Sequence, residues 1–173
     1  YLEKHDLRET PKAFVGYSDL TSVLAYLTTV CGIVSFHGPM LDRRLGCGTD
    51  AYDRDSFLGA LTSTEPLGEI PAPSLEVFCK GEAAGPMLGG TLAQLVASLG
   101  TPYAFKPPRG HVLFLEDVAE RPYRLDRMLT QLRLAGILDS ASAVVLGEFL
   151  DCDEPGGEPS ARAVLADLLQ DFS

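Results

Sequence analysis

Long hydrophobic runs, basic residues and paired cysteines are what this 173-residue sequence has least of. Its apolar segments are broken by polar residues well short of the roughly 18 positions a membrane-spanning helix needs, so no span is expected. The opening residues, Tyr1-Leu2-Glu3-Lys4-His5-Asp6, lack the apolar core of a signal peptide. Lys and Arg number 14 against 24 Asp and Glu, and the formal charge of -10 repels phosphate backbones and argues against a nucleic-acid partner. Arg43-Arg44 is too short to act as a basic patch. Cys31, Cys47, Cys79 and Cys152 form no CxxC pair and have no histidine at ligand spacing. Zinc or a redox pair is therefore disfavoured, and free thiols in a reducing compartment are the better reading, with two disulfides in a secreted protein left open. An initiator methionine and polar tails are missing too, so the chain reads as a piece of a larger protein.

What is present is a globular composition, 46% hydrophobic, enough for one sizeable core or two small ones. A short strand over residues 13–16, a helix entered through Ser18-Asp19 with Leu20, Val23, Leu24 and Leu27 on one face, and a strand over 32–36 suggest the tail of a parallel α/β layer. Charge, glycines and prolines then mark a connector over 41–73, holding one helix around 53–61 and a domain boundary. A second unit follows: a strand over 75–80, a tight glycine-rich loop over 81–90, and a helix capped by Thr91 that buries Leu92, Leu95, Val96 and Leu99 and stops at Gly100. A helix with Leu125, Met128, Leu129 and Leu132 inward stops at Gly136. A core strand over 143–149, an acidic loop and a helix carrying Val164, Leu165, Leu168, Leu169 and Phe172 complete the chain.

The most informative stretch is Gly110-His111-Val112-Leu113-Phe114-Leu115-Glu116-Asp117-Val118, an apolar run that ends abruptly in two carboxylates. It reads as a core strand feeding the helix that opens at Pro122, and strand ends of α/β folds are where sites are built. One carboxylate, Asp117, is expected to cap the following turn or to pair with Arg124 or Arg127. Glu116 continues directly from the strand, and a carboxylate on a rigid element is suited to orient a histidine or bind a cation. Arg121, Arg124 and Arg127 offer the plainer alternative of a salt bridge. Gly46-Cys47-Gly48-Thr49-Asp50-Ala51 spells the dinucleotide pattern but follows no strand, so chance is the better explanation. Gly89-Gly90-Thr91 at a helix start could hold a carboxylate or phosphate, or could serve only a turn. His37-Gly38 just past a strand could line a cleft, as a substrate contact rather than a base. His5 and His111 belong to no motif.

Six ordered blocks then carry a resemblance: Lys12-Ala13-Phe14-Val15-Gly16-Tyr17-Ser18-Asp19-Leu20-Thr21, Phe36-His37-Gly38-Pro39-Met40, Leu88-Gly89-Gly90-Thr91-Leu92, Gly100-Thr101-Pro102-Tyr103, Leu113-Phe114-Leu115-Glu116-Asp117-Val118, and Tyr123-Arg124-Leu125-Asp126-Arg127-Met128-Leu129. In order and spacing they resemble the LD-carboxypeptidase family of serine peptidases, which includes muramoyltetrapeptide carboxypeptidases and microcin C self-immunity peptidases. The resemblance implies an α/β fold. Residues 1–50 would be the end of an N-terminal flavodoxin-like domain, 51–74 a linker, and 75–173 most of a C-terminal swivelling β/β/α domain. It implies a cytoplasmic homodimer without metal or other cofactor, acting on murein peptide during peptidoglycan recycling and releasing the terminal D-alanine across an L,D amide bond. No nucleic acid or membrane is implied. By motif Glu116 matches the glutamate of a Ser-His-Glu triad, whose serine lies before Tyr1 and whose histidine lies beyond Ser173. Ser18 and His37 are not those residues. Thr91 stands where the family usually has asparagine. His37, Gly38, Gly89, Gly90 and Thr91 are the expected substrate contacts, and the piece alone is expected to be inactive. Two alternatives stay open: a non-enzymatic anion-binding module built on Gly89, Gly90 and Thr91, and a parent peptidase acting on a peptidyl-nucleotide antibiotic.

Overall fold

The computed structural model describes residues 12–172 together with Leu7 and Glu9. It divides into two compact units, one ending at Glu76 and one beginning at Val77.

In the first unit β1 (Phe14–Gly16) and β2 (Ser35–His37) are parallel neighbours, with Val15 opposite Phe36 and Gly16 opposite His37. Parallel strands need a crossover. Here it is a 3-10 turn over Ser18–Leu20, then α1 (Thr21–Tyr26), then a π-helical turn over Leu27–Cys31. Leu27, Cys31 and Ile33 form the buried core, with Phe14 and Tyr26 packed on it. Three details differ from the sequence reading. Ser18 does not cap the helix; it takes a left-handed φ of 57° and starts the 3-10 turn. Because the crossover changes helical pitch twice, the uniform spacing fails: Leu24 and Leu27 are buried while Leu20 and Val23 are 40% and 41% exposed. The second strand starts later than residue 32 for a related reason. Gly32 ends the π turn at φ 68°, and the Ile33 amide donates back to the Leu27 carbonyl, which ties residue 33 to the helix end instead of the sheet.

The connector does hold a helix, α2 (Arg54–Thr62), and Asp53 caps it by accepting the Ser56 amide at 2.8 Å. The expected strand over 75–80 does not form. Those of its residues that fall in the second unit dock on the last helix instead: the Arg162 guanidinium lies over the Phe78 ring, and the Cys79 thiol donates to the Leu169 carbonyl at 3.3 Å.

The second unit is a three-stranded parallel sheet in the order β3 (Met87–Thr91), β4 (His111–Val118), β5 (Ala141–Leu150). β3 replaces the loop expected from its glycines. Gly89 and Gly90 adopt φ 149° and 143°, and a Cβ on Gly89 would lie 1.8 Å from the Phe114 carbonyl oxygen, so only glycine lets the two strands approach here. The crossovers are α3 (Leu92–Ser98) and α4 (Pro122–Leu134). Pro122 opens α4 at a position that needs no amide donor. Gly136 closes it at φ 73°, with its own amide on Arg133 and that of Ile137 on Leu132. Leu125, Met128, Leu129 and Leu132 are buried, and α4 packs on α3 and on α5 (Ala161–Leu169), which Ser160 caps through the Ala163 amide. Among the described residues no helix is long and apolar enough to cross a membrane, and no disulfide joins the four cysteines.

His111, at the start of β4, is fully buried. Its Nδ1 donates to the Pro108 carbonyl at 3.0 Å, and its Nε2 has no partner among the described residues. Burial lowers its pKa below 6.5, opposed by the Pro108 bond. The unfolded chain therefore takes up this proton first as pH falls, and folding stability contributed by the neutral ring is lost progressively below pH 6.5. Melting temperature measured against pH should drop on acidification, and His111→Gln should flatten that slope; an equal slope in the variant contradicts the assignment.

Candidate active site

β4 is the central strand, and alternation sends its residues to opposite faces of the sheet. His111, Leu113, Leu115 and Asp117 are buried, whereas Phe114 and Glu116 on the other face are only partly covered. The two neighbouring carboxylates therefore meet different surroundings.

Asp117 is 4% exposed. Its Oδ2 accepts the Ala93 amide in the first turn of α3 at 2.8 Å, and its Oδ1 accepts the Val118 amide at 2.9 Å. The expected partners Arg124 and Arg127 are not used: Asp117 caps the helix before β4, across the sheet from its own strand. Burial raises its pKa above 3.8; the two amide bonds oppose the rise, and the charges of Glu120 and Glu116 add to it.

Glu116 is half-buried at the same strand end. It sits opposite Thr91 in the β3–β4 register, and the Thr91 hydroxyl donates to its Oε1. Thr91 occupies the N-cap position of α3 but makes no side-chain cap bond there. On the other side, β4 and β5 shift register between Leu115 and Asp117: Leu115 faces Leu146 and Asp117 faces Phe149, so Gly147 and Glu148 together oppose Glu116. Such a bulge re-aims side chains. A Cβ on Gly147 would come within 3.1 Å of the Glu116 Cβ, so the glycine leaves room beside it. Sequence reading missed this residue, although an isolated glycine inside an apolar strand is a bulge signal.

The nearby arginines are engaged elsewhere. Arg124 pairs with Glu120 at 2.5 Å, Arg121 donates to the Asp153 carbonyl at 3.1 Å, and Arg127 lies 5.3 Å over the Tyr123 ring. Among the described residues Glu116 has no ion pair and its Oε2 no hydrogen bond. A carboxylate with one oxygen fastened and the other available can accept an N–H and orient its donor.

Gly89 and Gly90 lie inside β3, against the β4 backbone. The Ala93 amide at the start of α3 is occupied by Asp117, which removes it as a donor for an external anion. In the first unit His37 ends β2, exposed, with its ring tilted 6.4 Å from that of Tyr17, and the Gly38 amide donates to the Gly16 carbonyl at 3.1 Å. The Gly46–Ala51 pattern falls on two 3-10 turns that a turn over residues 41–44, not a strand, leads into, so it has no dinucleotide-binding context. Among the described residues no cluster of three or more His, Cys, Asp or Glu forms a metal-binding group.

The family model described as the LD-carboxypeptidase C-terminal domain matches residues 84–173, and that of the LD-carboxypeptidase N-terminal domain matches residues 1–38. The chain is 35% identical over 167 residues to the probable murein peptide carboxypeptidase of Bacillus subtilis strain 168, covering 96% of this chain and 51% of that protein. The crystal structure of muramoyltetrapeptide carboxypeptidase from Oxalobacter formigenes superposes with TM-score 0.79 at 31% identity, over 99% of this chain and 58% of that one. The microcin C7 self-immunity protein MccF, in its inactive-mutant apo state, superposes with TM-score 0.81 at 26% identity, over 100% of this chain and 60% of that one. The chain spans about half the length of the curated relatives it matches.

The Asp117 cap carries a direct test. Asp117→Ala should lower stability by about 1–2 kcal/mol in chemical denaturation, the usual cost of a lost helix cap. Asp117→Asn, which keeps an acceptor, should cost less, and equal losses would place the effect outside the amide bonds. Because the folded pKa lies above 3.8, the folded state holds this proton to higher pH, so stability contributed by the protonated form is gained as pH falls toward 3.8 and lost as pH rises through the folded value. Replacing Asp117 should remove that opposite-signed component.

Proposed function

This chain belongs to the LD-carboxypeptidase family, and from that membership we propose that it is part of a serine-type peptidase with Glu116 as the acidic member of a Ser-His-Glu triad. The observation that carries the proposal is the state of Glu116: fixed to the end of a central strand, held through Oε1 by Thr91, and paired with none of the neighbouring arginines. In the proposed reaction Glu116 accepts a hydrogen bond from the Nδ1–H of an imidazole, which fixes the tautomer whose Nε2 is free to take the serine proton. Serine then attacks the carbonyl of the L,D amide bond. The imidazolium, stabilised by the carboxylate, returns its proton to the departing amine of D-alanine, and water repeats the sequence on the acyl-enzyme. The serine and the histidine come from outside these 173 residues, so the piece alone is proposed to be inactive. This chemistry uses no metal.

Murein tetrapeptide is the proposed substrate of the whole protein, in keeping with the names of the Bacillus and Oxalobacter relatives. We also propose that the whole protein is a cytoplasmic homodimer working in peptidoglycan recycling. Residues 1–50 would then close a flavodoxin-like domain, 51–74 would be a linker, and 75–173 would belong to the C-terminal domain. His37 and Gly38, at the carboxyl end of a parallel strand pair, are carried forward as substrate contacts of the first unit. A second reading, a peptidyl-nucleotide as substrate, draws on the superposition with MccF.

The test is D-alanine release from murein tetrapeptide by the full-length protein. Glu116→Ala should lower kcat by about 1,000- to 10,000-fold, the scale seen when a triad acid is lost. The 173-residue piece should release none. Near-normal turnover by the variant, or Glu116-dependent turnover by the isolated piece, contradicts the proposal. Cleavage of a peptidyl-nucleotide in place of the tetrapeptide selects the second reading.

A further inference from the structure

We propose that Thr91 is a positioning residue for Glu116 and acts through it, without touching the substrate; this rests on the reading of Glu116 as the triad carboxylate. Three observations converge. First, Thr91 and Glu116 are register partners on adjacent strands, so their Cα positions are set by backbone pairing rather than by loop geometry. Second, Thr91 is only 6% exposed, which leaves little of it for a substrate to reach. Third, a threonine at a helix N-cap ordinarily spends its hydroxyl on that helix, yet here the Asp117 carboxylate takes the Ala93 amide and the Thr91 hydroxyl turns to Glu116 Oε1.

The physical consequence concerns the rotation of the carboxylate. A glutamate side chain has three rotatable torsions, the last of them broad, so an untethered Glu116 would present Oε2 over a wide range of directions. A donated bond on Oε1 from a buried hydroxyl removes much of that freedom and fixes the plane from which Oε2 accepts an imidazole N–H. Bonds to ionised groups are the stronger class, so the tether holds under thermal motion. Gly147 permits the arrangement on the opposite side, because its missing Cβ leaves Glu116 room to lie between β3 and β5.

The experiment compares full-length wild type with Thr91→Val, Thr91→Ser, Glu116→Gln and the double variant Thr91→Val/Glu116→Gln in tetrapeptide hydrolysis. Thr91→Val should lower kcat about 10- to 100-fold, the range typical of lost supporting hydrogen bonds, with KM within about 3-fold. Thr91→Ser, which restores the hydroxyl, should recover most of the rate. Adding Thr91→Val to Glu116→Gln should cause little further loss, because the threonine acts through the carboxylate. A rise in KM with kcat preserved, or an undiminished effect of Thr91→Val in the Glu116→Gln background, overturns the proposal in favour of direct substrate contact. If Thr91→Val fails to fold, Thr91→Ser at the same low rate as Thr91→Ala overturns it as well. Wild-type activity in Glu116→Gln would instead remove the triad reading on which the proposal stands, so the two failures are distinguishable.

Discussion

The bond from the Ala93 amide to Asp117 ties the first turn of α3 to the end of β4 and braces the strand end that carries the candidate site. It joins two consecutive elements that the chain separates by the loop over residues 99–110. β3 ends at Thr91, which falls opposite Glu116, and β4 continues for two more residues to Val118. The cost of burying the Asp117 carboxylate is visible in its raised pKa, and its two amide bonds offset that cost. Removing the acid would leave a buried helix start without its acceptor.

Alternation along β4 does the rest. Adjacent residues on a strand point to opposite faces, so two carboxylates in sequence cannot share one environment. Asp117 is drawn beneath the helices and becomes structural. Glu116 stays on the less covered face and is left with one oxygen available. The proximity of three arginines in sequence does not neutralise it, since α4 directs Arg124 to Glu120 and Arg127 to Tyr123, and Arg121 before it reaches the Asp153 carbonyl.

Much of the second unit was legible from sequence because its signals agree at every level. The apolar run of β4, the three- and four-residue spacing of α4, and the stop at Gly136 all point one way. β3 was misread because Gly89 and Gly90 lower strand propensity, although their lack of Cβ is what allows the strand to pair. Residues 75–80 failed in the opposite sense: their apolar character serves docking of Phe78 and Cys79 on α5, not a ladder. In the candidate site, the place of Glu116 near the end of a strand was readable from the apolar run before it. Its tether to Thr91 and the room left by Gly147 depend on register, which neither local propensity nor spacing specifies.

The central claim is that the free oxygen of Glu116 holds an imidazole. It is tested most directly by NMR titration of the histidine ring in the full-length protein, wild type against Glu116→Gln. The account predicts a hydrogen-bonded, downfield ring N–H proton in the wild type that is lost in the variant, together with a fall in the imidazole pKa as its carboxylate partner is neutralised. An imidazole whose proton resonance and pKa are the same in both proteins would contradict it.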